Sequence, residues 1–390
     1  MSDAPPSGGL SIAYLGDPNS VHLRRWVAQF LGRGHRITLL VPTTQVVEPS
    51  YPPEVAIERY RPQTDWRPSQ LGLLGTALSA RRAVRRVRPD VLHVHHLTLN
   101  GFRAWMSGYH PYAVTVWGSD VLIDARRSLR SRVLARLSLR SADLVTGISR
   151  HLVDAAVAAG APRARTRVLH FGVDVDRFSP GAPSSGLRRR LDLAGRRVVF
   201  SPRMIQPLYR HDVILEALAR LPDDVCLLMT RHAAGAAELA AVEARIRALG
   251  LQDRVRMTPA IPYAEMPEYY RLADVVVSIP ASDAGPVTLV EALAVGRPVV
   301  CSDLPPVREW LADLDPAGLV PVGDVAATEA ALRRALGLGK AERRRLAELG
   351  RAAVLARADE RVTMAEMDRL YRELARGHRR ARGSASDVVE

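Results

Sequence analysis

The stretch DVVVSIPASDAGPVTLVEALAVGRPVVCSD, Asp274 to Asp303, decides how this chain is read. It opens on DVVVSIP (274–280), a short β-branched run that predicts a buried strand, and closes on a second such run, RPVVCSD (297–303). The residues between them predict a helix. Pro286 suits a first turn, where its missing N–H costs nothing, and Gly296 suits the end. Strand, helix and strand in that order form a βαβ unit.

The same alternation runs along the chain. LSIAYLG (10–16) reads as a strand, and Asp17, Asn19 and Ser20 can each cap the helix that follows. Leu23, Trp26, Val27, Phe30 and Leu31 then recur on one helical face, and HRITLLVP (35–42) is the next strand. VLHVHH (91–96), AVTVWG (113–118) and ADLVTGIS (142–149) continue the first series. VVFSPR (198–203), DVCLLMT (224–230), RVRMTPA (254–260) and GLVPVGD (318–324) join the opening stretch in a second series. Strands separated by helices predict α/β architecture with two doubly wound parallel sheets. The expected layout is a first Rossmann-like domain over 1–178, a linker over 179–196 and a second domain over 197–358. A C-terminal helix over 359–378 returns to the first domain, and 379–390 is a disordered tail.

Composition narrows the class. Of 390 residues 47% are hydrophobic and 25% charged, enough to build cores. No apolar run approaches the roughly 18 residues of a spanning helix, and MSDAPPSGGL lacks the layout of a signal peptide. Cys226 and Cys301 form no disulfide framework. A soluble cytoplasmic protein is expected. The net charge of +14 asks for an acidic partner, yet Lys340 is the only lysine, a skew that a GC-rich genome also produces. With 5% aromatic residues and no recognition motif, nucleic acid is not expected as a partner.

Open parallel sheets bind ligands beyond the carboxyl ends of their strands. There the chain places Asp283, then Gly285, Pro286 and Val287 at a helix start, with Glu291 in the second turn. Unpaired N–H groups at a helix start suit a diphosphate, and flanking carboxylates can accept hydrogen bonds from hydroxyls. That describes a nucleotide-sugar site. The plainer reading makes Asp283 a cap and Glu291 a solvated face residue.

The block from Asp283 to Val300 resembles the acid-x7-acid signature of the retaining glycosyltransferases of family 4, which have the GT-B fold of two Rossmann-like domains facing across a cleft. RGHRITLLVP (33–42), RPDVLHVHH (88–96), VTVWGSDVL (114–122), SADLVTGIS (141–149) and HFGVDVDRFSP (170–180) match in order and spacing. The resemblance implies that Asp283 holds donor-sugar hydroxyls, Glu291 the ribose, and the backbone of Gly285 to Val287 the diphosphate. It implies that Arg203 neutralises charge on the leaving diphosphate, and it makes the first domain the acceptor side. UDP- and GDP-sugars are the expected donors. A glycan, a small molecule or a lipid-linked hydroxyl is the expected acceptor, and no metal or other cofactor is expected.

Three departures stand out. Asp283 replaces the common Glu. RMIQPLYRH (203–211) lacks the usual lysine, leaving Arg210 to supply the second positive charge. Trp117-Gly118-Ser119-Asp120 replaces a histidine-containing segment, so Trp117 either stacks on a sugar or packs. Gly16, Asp17, Ser20 and His22 after the first strand, His95 at a later strand end, and Gly118 and Asp120 are read as facing the cleft, His22 having a capping or surface role as the alternative. The segment Ala260 to Tyr263, with Pro262, is placed against the base. DVD (174–176) and DLD (313–315) mimic a metal motif but lie in linker-like and loop-like segments.

Finally, ARRSLRSRVLARLSLR (125–140) carries Arg126, Arg127, Arg130, Arg132, Arg136 and Arg140 beside a stripe of Leu129, Val133, Leu134 and Leu137. It reads either as a basic amphipathic surface for anionic membrane at the inner face of the cell or as a core helix with a solvated basic face. RRAVRRVR (81–88) adds to the same positive field. The alternatives to a glycosyltransferase are a nucleotide-sugar 2-epimerase of the same fold and a catalytically inactive partner subunit.

Overall fold

A computed structural model describes residues 8–48, 51–61, 70–232 and 234–386. The chain divides into two units, the first comprising Met1–His170 and Met364–Glu390 and the second Phe171–Thr363.

The first unit is built on β1 (Ser11–Leu15), β2 (Arg36–Pro42), β3 (Ala56–Tyr60), β4 (Val91–His95), β5 (Tyr112–Val116), β6 (Leu144–Gly147) and β7 (Thr166–Val168). They form a parallel sheet in the order β3-β2-β1-β4-β5-β6-β7. The second is built on β8 (Arg197–Ser201), β9 (Val225–Thr230), β10 (Val255–Thr258), β11 (Val275–Ser278), β12 (Val299–Ser302) and β13 (Leu319–Val320), in the order β10-β9-β8-β11-β12-β13. In both, strand order reverses beside the first strand, at β1/β4 and at β8/β11. Such a reversal opens a crevice at the carboxyl ends. The central strands β4, β5, β9, β11 and β12 are buried along their whole length, which is why they read as unbroken apolar runs.

The division differs from the expected one. Val173, Val175 and Phe178 are buried in the core of the second unit, so the first unit ends at His170 and not near 178. The Pro/Gly/Ser-rich segment expected as a linker also belongs to that core. It holds a short helix, Leu187–Arg190, and buries Leu187 and Leu193.

The last helix, Glu360–Ser386, continues past the expected end at 378. Its start packs on Gly172, where a Cβ would stand 2.5 Å from the Cα of Glu360. From Met364 onward it belongs to the first unit, burying Met364, Met367, Leu370, Tyr371 and Ala375 against Leu10, Ile12, Trp26 and Phe30. A buried polar chain fixes this docking. The hydroxyls of Thr146 and Thr115 lie 2.6 Å apart, Thr115 meets His93 Nε2 at 2.8 Å, His93 Nδ1 meets the Tyr371 hydroxyl, and that hydroxyl lies 3.2 Å from Tyr14. Beside it, His35 bridges Asp368, at 2.8 Å, and the backbone N–H of Leu10, at 3.0 Å.

Burial without a partner costs a polar group more than its hydrogen bond gains. Tyr371→Phe strands His93 Nδ1 and is expected to destabilise the protein by about 1–3 kcal/mol, measured by urea unfolding; an unchanged midpoint would remove the chain's role in docking the helix.

Candidate functional site

In the second unit the site grows from the β8/β11 reversal. Arg203 lies just beyond β8, and Asp283 lies in the loop between β11 and helix Val287–Val295. The Arg203 guanidinium donates from Nη2 to Asp283 Oδ2, and Nη1 stands 3.5 Å from the Thr288 hydroxyl. The ring of Tyr209 lies under the guanidinium at 4.7 Å. The loop that carries Tyr209 is tied to the one after β11 by Ala281 N–H donating to the carbonyl of Leu208 at 2.8 Å. Asp283 also accepts from the N–H of Gly285, at 3.2 Å. The two side chains expected to play separate roles, on sugar and on diphosphate, are therefore one ion pair. It is largely shielded, with 15% and 11% of the side chains exposed.

The helix opens at Pro286, which occupies the cap position and not the first turn. No side chain caps it. Its first-turn end is thus left to an anion or water. Glu291 is not the solvated face residue of the plainer reading, because it is buried and accepts from the Tyr270 hydroxyl at 2.8 Å. Burial, and then the charge of Glu291, hold the Tyr270 phenol well above its ordinary range, so Tyr270 remains a donor at neutral pH.

Arg210 differs from expectation. It adopts φ 50° and pairs with Asp212, at 3.0 Å, and it contributes none of the contacts around Arg203. It also lies against Gly323, where a Cβ would meet Nη1 at 3.1 Å, beyond the end of β13. Its charge is thus partly answered within the protein. Pro262 is exposed after β10, and its carbonyl accepts from Glu265 N–H at 2.8 Å at the start of helix Met266–Leu272.

In the first unit the residues gathered at the β1/β4 reversal divide into ring surfaces and loop braces. His22 stacks on Trp117 at 4.7 Å and 27°. The His95 ring lies 5.5 Å from Trp117 and 4.9 Å from Trp26. Burial lowers His22 to about 4, and burial together with His22 lowers His95 to about 3, so both rings are neutral. Neither nitrogen of His95 has a hydrogen-bond partner among the described residues. Gly16 must be glycine to let this ring approach, since a Cβ would stand 2.9 Å from the Cβ of His95.

Asp120, read as facing the cleft, is committed as a brace. Wholly buried, it accepts from the N–H groups of Leu97 at 2.8 Å, Gly118 at 2.8 Å, Val121 at 3.0 Å and Trp117 at 3.1 Å. Gly118 is likewise buried, with φ 138° and ψ −83°, which only glycine adopts without strain. Asp17 is exposed and accepts from Gln45 Nε2 at 2.7 Å. Ser20 occupies the cap position of helix Val21–Gly32, but its hydroxyl makes no capping bond.

Among the described residues no group of three His, Cys, Asp or Glu side chains could hold a metal ion. Asp174 of the DVD segment turns its own loop by accepting from Arg177 N–H, and Asp315 pairs with Arg334 at 2.7 Å.

Helix Leu129–Ser141 buries Ala135, Ser138 and Leu139; of the stripe read from sequence, Leu134 and Leu137 are half-buried and Leu129 and Val133 exposed. Ile123, Leu129 and Val133 are 60%, 76% and 47% exposed among the exposed arginines 126, 127, 130, 132 and 136. No helix among the described residues is long and apolar enough to cross a membrane.

Sequence reading missed Tyr209, Tyr270, Thr288 and His211. His211 is buried behind Arg203, its Nε2 3.4 Å from Ser201, and is lowered to about 4, chiefly by burial. Tyr209, His211 and Thr288 lay inside segments already singled out, and Tyr270 did not.

Two doubly wound sheets, each carrying polar groups at its strand-order reversal, define the GT-B class. The family "Glycosyl transferases group 1" matches residues 187–353, and "Glycosyl transferase 4-like" matches residues 11–149. The chain belongs to this family of group 1, family 4-like glycosyltransferases. It is 36% identical over 277 residues to a D-inositol 3-phosphate glycosyltransferase of Geodermatophilus obscurus, covering 63% of this chain and 59% of the relative. It is 30% identical over 234 residues to a GDP-mannose-dependent alpha-(1-6)-phosphatidylinositol monomannoside mannosyltransferase of Mycolicibacterium smegmatis, covering 54% of this chain and 60% of that one. The matches thus span about three fifths of these two relatives. The structure of Anabaena HepE in complex with UDP and glucose has the same fold, with a TM-score of 0.76 at 19% identity over 94% of this chain and all of the other.

The neutral histidines give stability a pH dependence whose sign is fixed. Their folded pKa values lie below the ordinary 6.5, so as pH falls below it the unfolded chain takes up protons that the folded one refuses. Stability is therefore whole above about pH 6.5 and falls toward pH 4, each ring contributing up to about 1.4 kcal/mol per pH unit. Urea midpoints at pH 7 and pH 5 are expected to differ accordingly, and His95→Gln to reduce the difference. Equal midpoints in the parent protein would show that the rings protonate without cost.

Proposed function

We propose that this protein is a retaining glycosyltransferase that moves a sugar from a nucleoside-diphosphate sugar to an acceptor hydroxyl without a metal ion. The observation that carries the reading is the shielded Arg203–Asp283 pair beside an uncapped helix start at Pro286. On donor binding the diphosphate takes the Arg203 guanidinium and the helix N-terminus, and Asp283, released from full pairing, accepts hydrogen bonds from sugar hydroxyls. Glu291, held by Tyr270, faces the ribose hydroxyls.

The bond between the anomeric carbon and the diphosphate oxygen breaks, and the electron pair leaves with the diphosphate. Arg203 stabilises the growing charge, a contribution that is usually the largest in such catalysis. The acceptor oxygen attacks from the same face, and its proton passes to the departing diphosphate. This route needs no side-chain base. UDP and GDP are the favoured donor nucleotides, supported by the UDP held by HepE and by the GDP-mannose dependence of the mycobacterial relative.

The exposed Ile123, Leu129 and Val133 among their arginines support a peripheral position on anionic membrane, where lipid-linked acceptors reside. Flotation with anionic vesicles is expected at low salt, to weaken at high salt and to be lost in Leu129→Glu; no flotation at low salt ends this part of the reading.

The donor reading is tested by thermal shift with UDP-, GDP- and ADP-sugars, followed by turnover with the stabilising donor. One nucleotide series is expected to raise Tm. Arg203→Ala is expected to lower kcat by about 10²–10³, and Asp283→Ala to abolish the shift from the sugar while keeping part of that from the free nucleotide. No shift with any donor would favour an inactive partner subunit.

A further inference from the structure

The first unit has a second polar concavity, at the opposite end of its sheet from Gly16, His95 and Trp117. It lies where loops 88–90 and 108–111 lead into β4 and β5, is about 690 Å³ in volume and is closed on one side by the last helix. Arg85, Arg88, His110, His378 and Arg379 line it, and Asp90 is its one carboxylate. Both Asp90 oxygens are committed, Oδ2 accepting from Ser11 N–H at 2.9 Å and Oδ1 from Arg379 Nη2 at 3.2 Å. No carboxylate among the described residues pairs with Arg85 or Arg88.

Arg85 has an ordinary reason to be there, since cations favour the last turn of a helix, here Gln70–Val87. Arg88 has none. It directly follows that helix with φ 47°, in the left-handed region where glycine is the usual residue. A guanidinium thus stands on this wall from a position with a strained backbone. His110, 2.7 Å from Asp143, is held above the ordinary histidine range chiefly by that hydrogen bond, so its charge is answered by Asp143 and the arginines carry the pocket's free positive charge. Cations converging on a concavity of ligand size suit an oxyanion, and the arginine fork suits phosphate best.

We infer that this pocket binds a phosphate group, separately from the donor site in the second unit. The inference does not depend on the glycosyl-transfer reading. A soluble phosphorylated metabolite and an anionic phospholipid headgroup share the chemistry, and the test separates them.

The probe is inorganic pyrophosphate, titrated calorimetrically into the full chain carrying Arg203→Ala to silence the donor site. One binding event is expected. Adding Arg88→Gly should weaken it at least about tenfold, the scale of one lost charge-assisted contact. Glycine relieves the left-handed residue, so Tm should hold or rise, and lost binding cannot be laid to unfolding. If pyrophosphate does not bind but vesicles of phosphatidylglycerol do, and Arg88→Gly abolishes vesicle binding, the ligand is a headgroup. Binding of neither probe, or affinity unchanged by Arg88→Gly, overturns the inference.

Discussion

A parallel strand can pair with its predecessor only after the chain has travelled back along the sheet, and here helices make most of those returns. Every strand then ends on the same side of its sheet, and the polar loops gather there whatever their order in sequence. Arg203 and Asp283 are brought into one ion pair by that constraint, although 80 residues separate them. It also gathers Gly16, His95 and Trp117 in the first unit. The order of strands then selects one place along each row, beside β1 and β8, where returning helices diverge and leave room.

That constraint explains what the sequence could reveal. Apolar runs such as VLHVH and VCLLMT are legible because strands covered on both faces carry nothing else. The edge strands β3 and β7 were not, since AIERY and TRV are partly exposed and carry charges that a periodicity argument reads as loop. The supposed linker misled for a related reason. Its Pro, Gly, Ser and Arg suggest solvent, yet two well-spaced leucines, Leu187 and Leu193, suffice to hold it in the core. The stripe on helix Leu129–Ser141 could be read either way from sequence, and its residues divide, Leu129 and Val133 being exposed and Leu134 and Leu137 half-buried, because Ala135, Ser138 and Leu139 take the inward positions.

At the candidate site, sequence gave residue types and neighbourhoods but not pairings. Asp283 and Glu291 lie in one recognisable segment, and their surroundings diverge. One is held by a guanidinium from a distant loop, the other by a buried phenol. Neither Tyr270 nor Thr288 carries a local signal, because each matters only through a partner far along the chain or one turn of helix away. Asp120 shows the same limit from the other side. An acid beside glycine at a strand end suggests a ligand contact, yet the four amides it receives leave it a structural bond. Which acid braces and which binds is settled by the loops that close over it.

The helix that completes the first unit also orders events during synthesis. Met364 to Ala375 supply core that the first 170 residues need, and they leave the ribosome only after the whole second unit has been made. The first unit is translated early and finishes packing late, with Tyr14, Trp26 and Phe30 awaiting their cover while the second folds. A nascent chain stalled before Met364 would present that apolar face to chaperones. The last helix thus reports that the second unit has been made, closing the first half of the molecule only when the second is in hand.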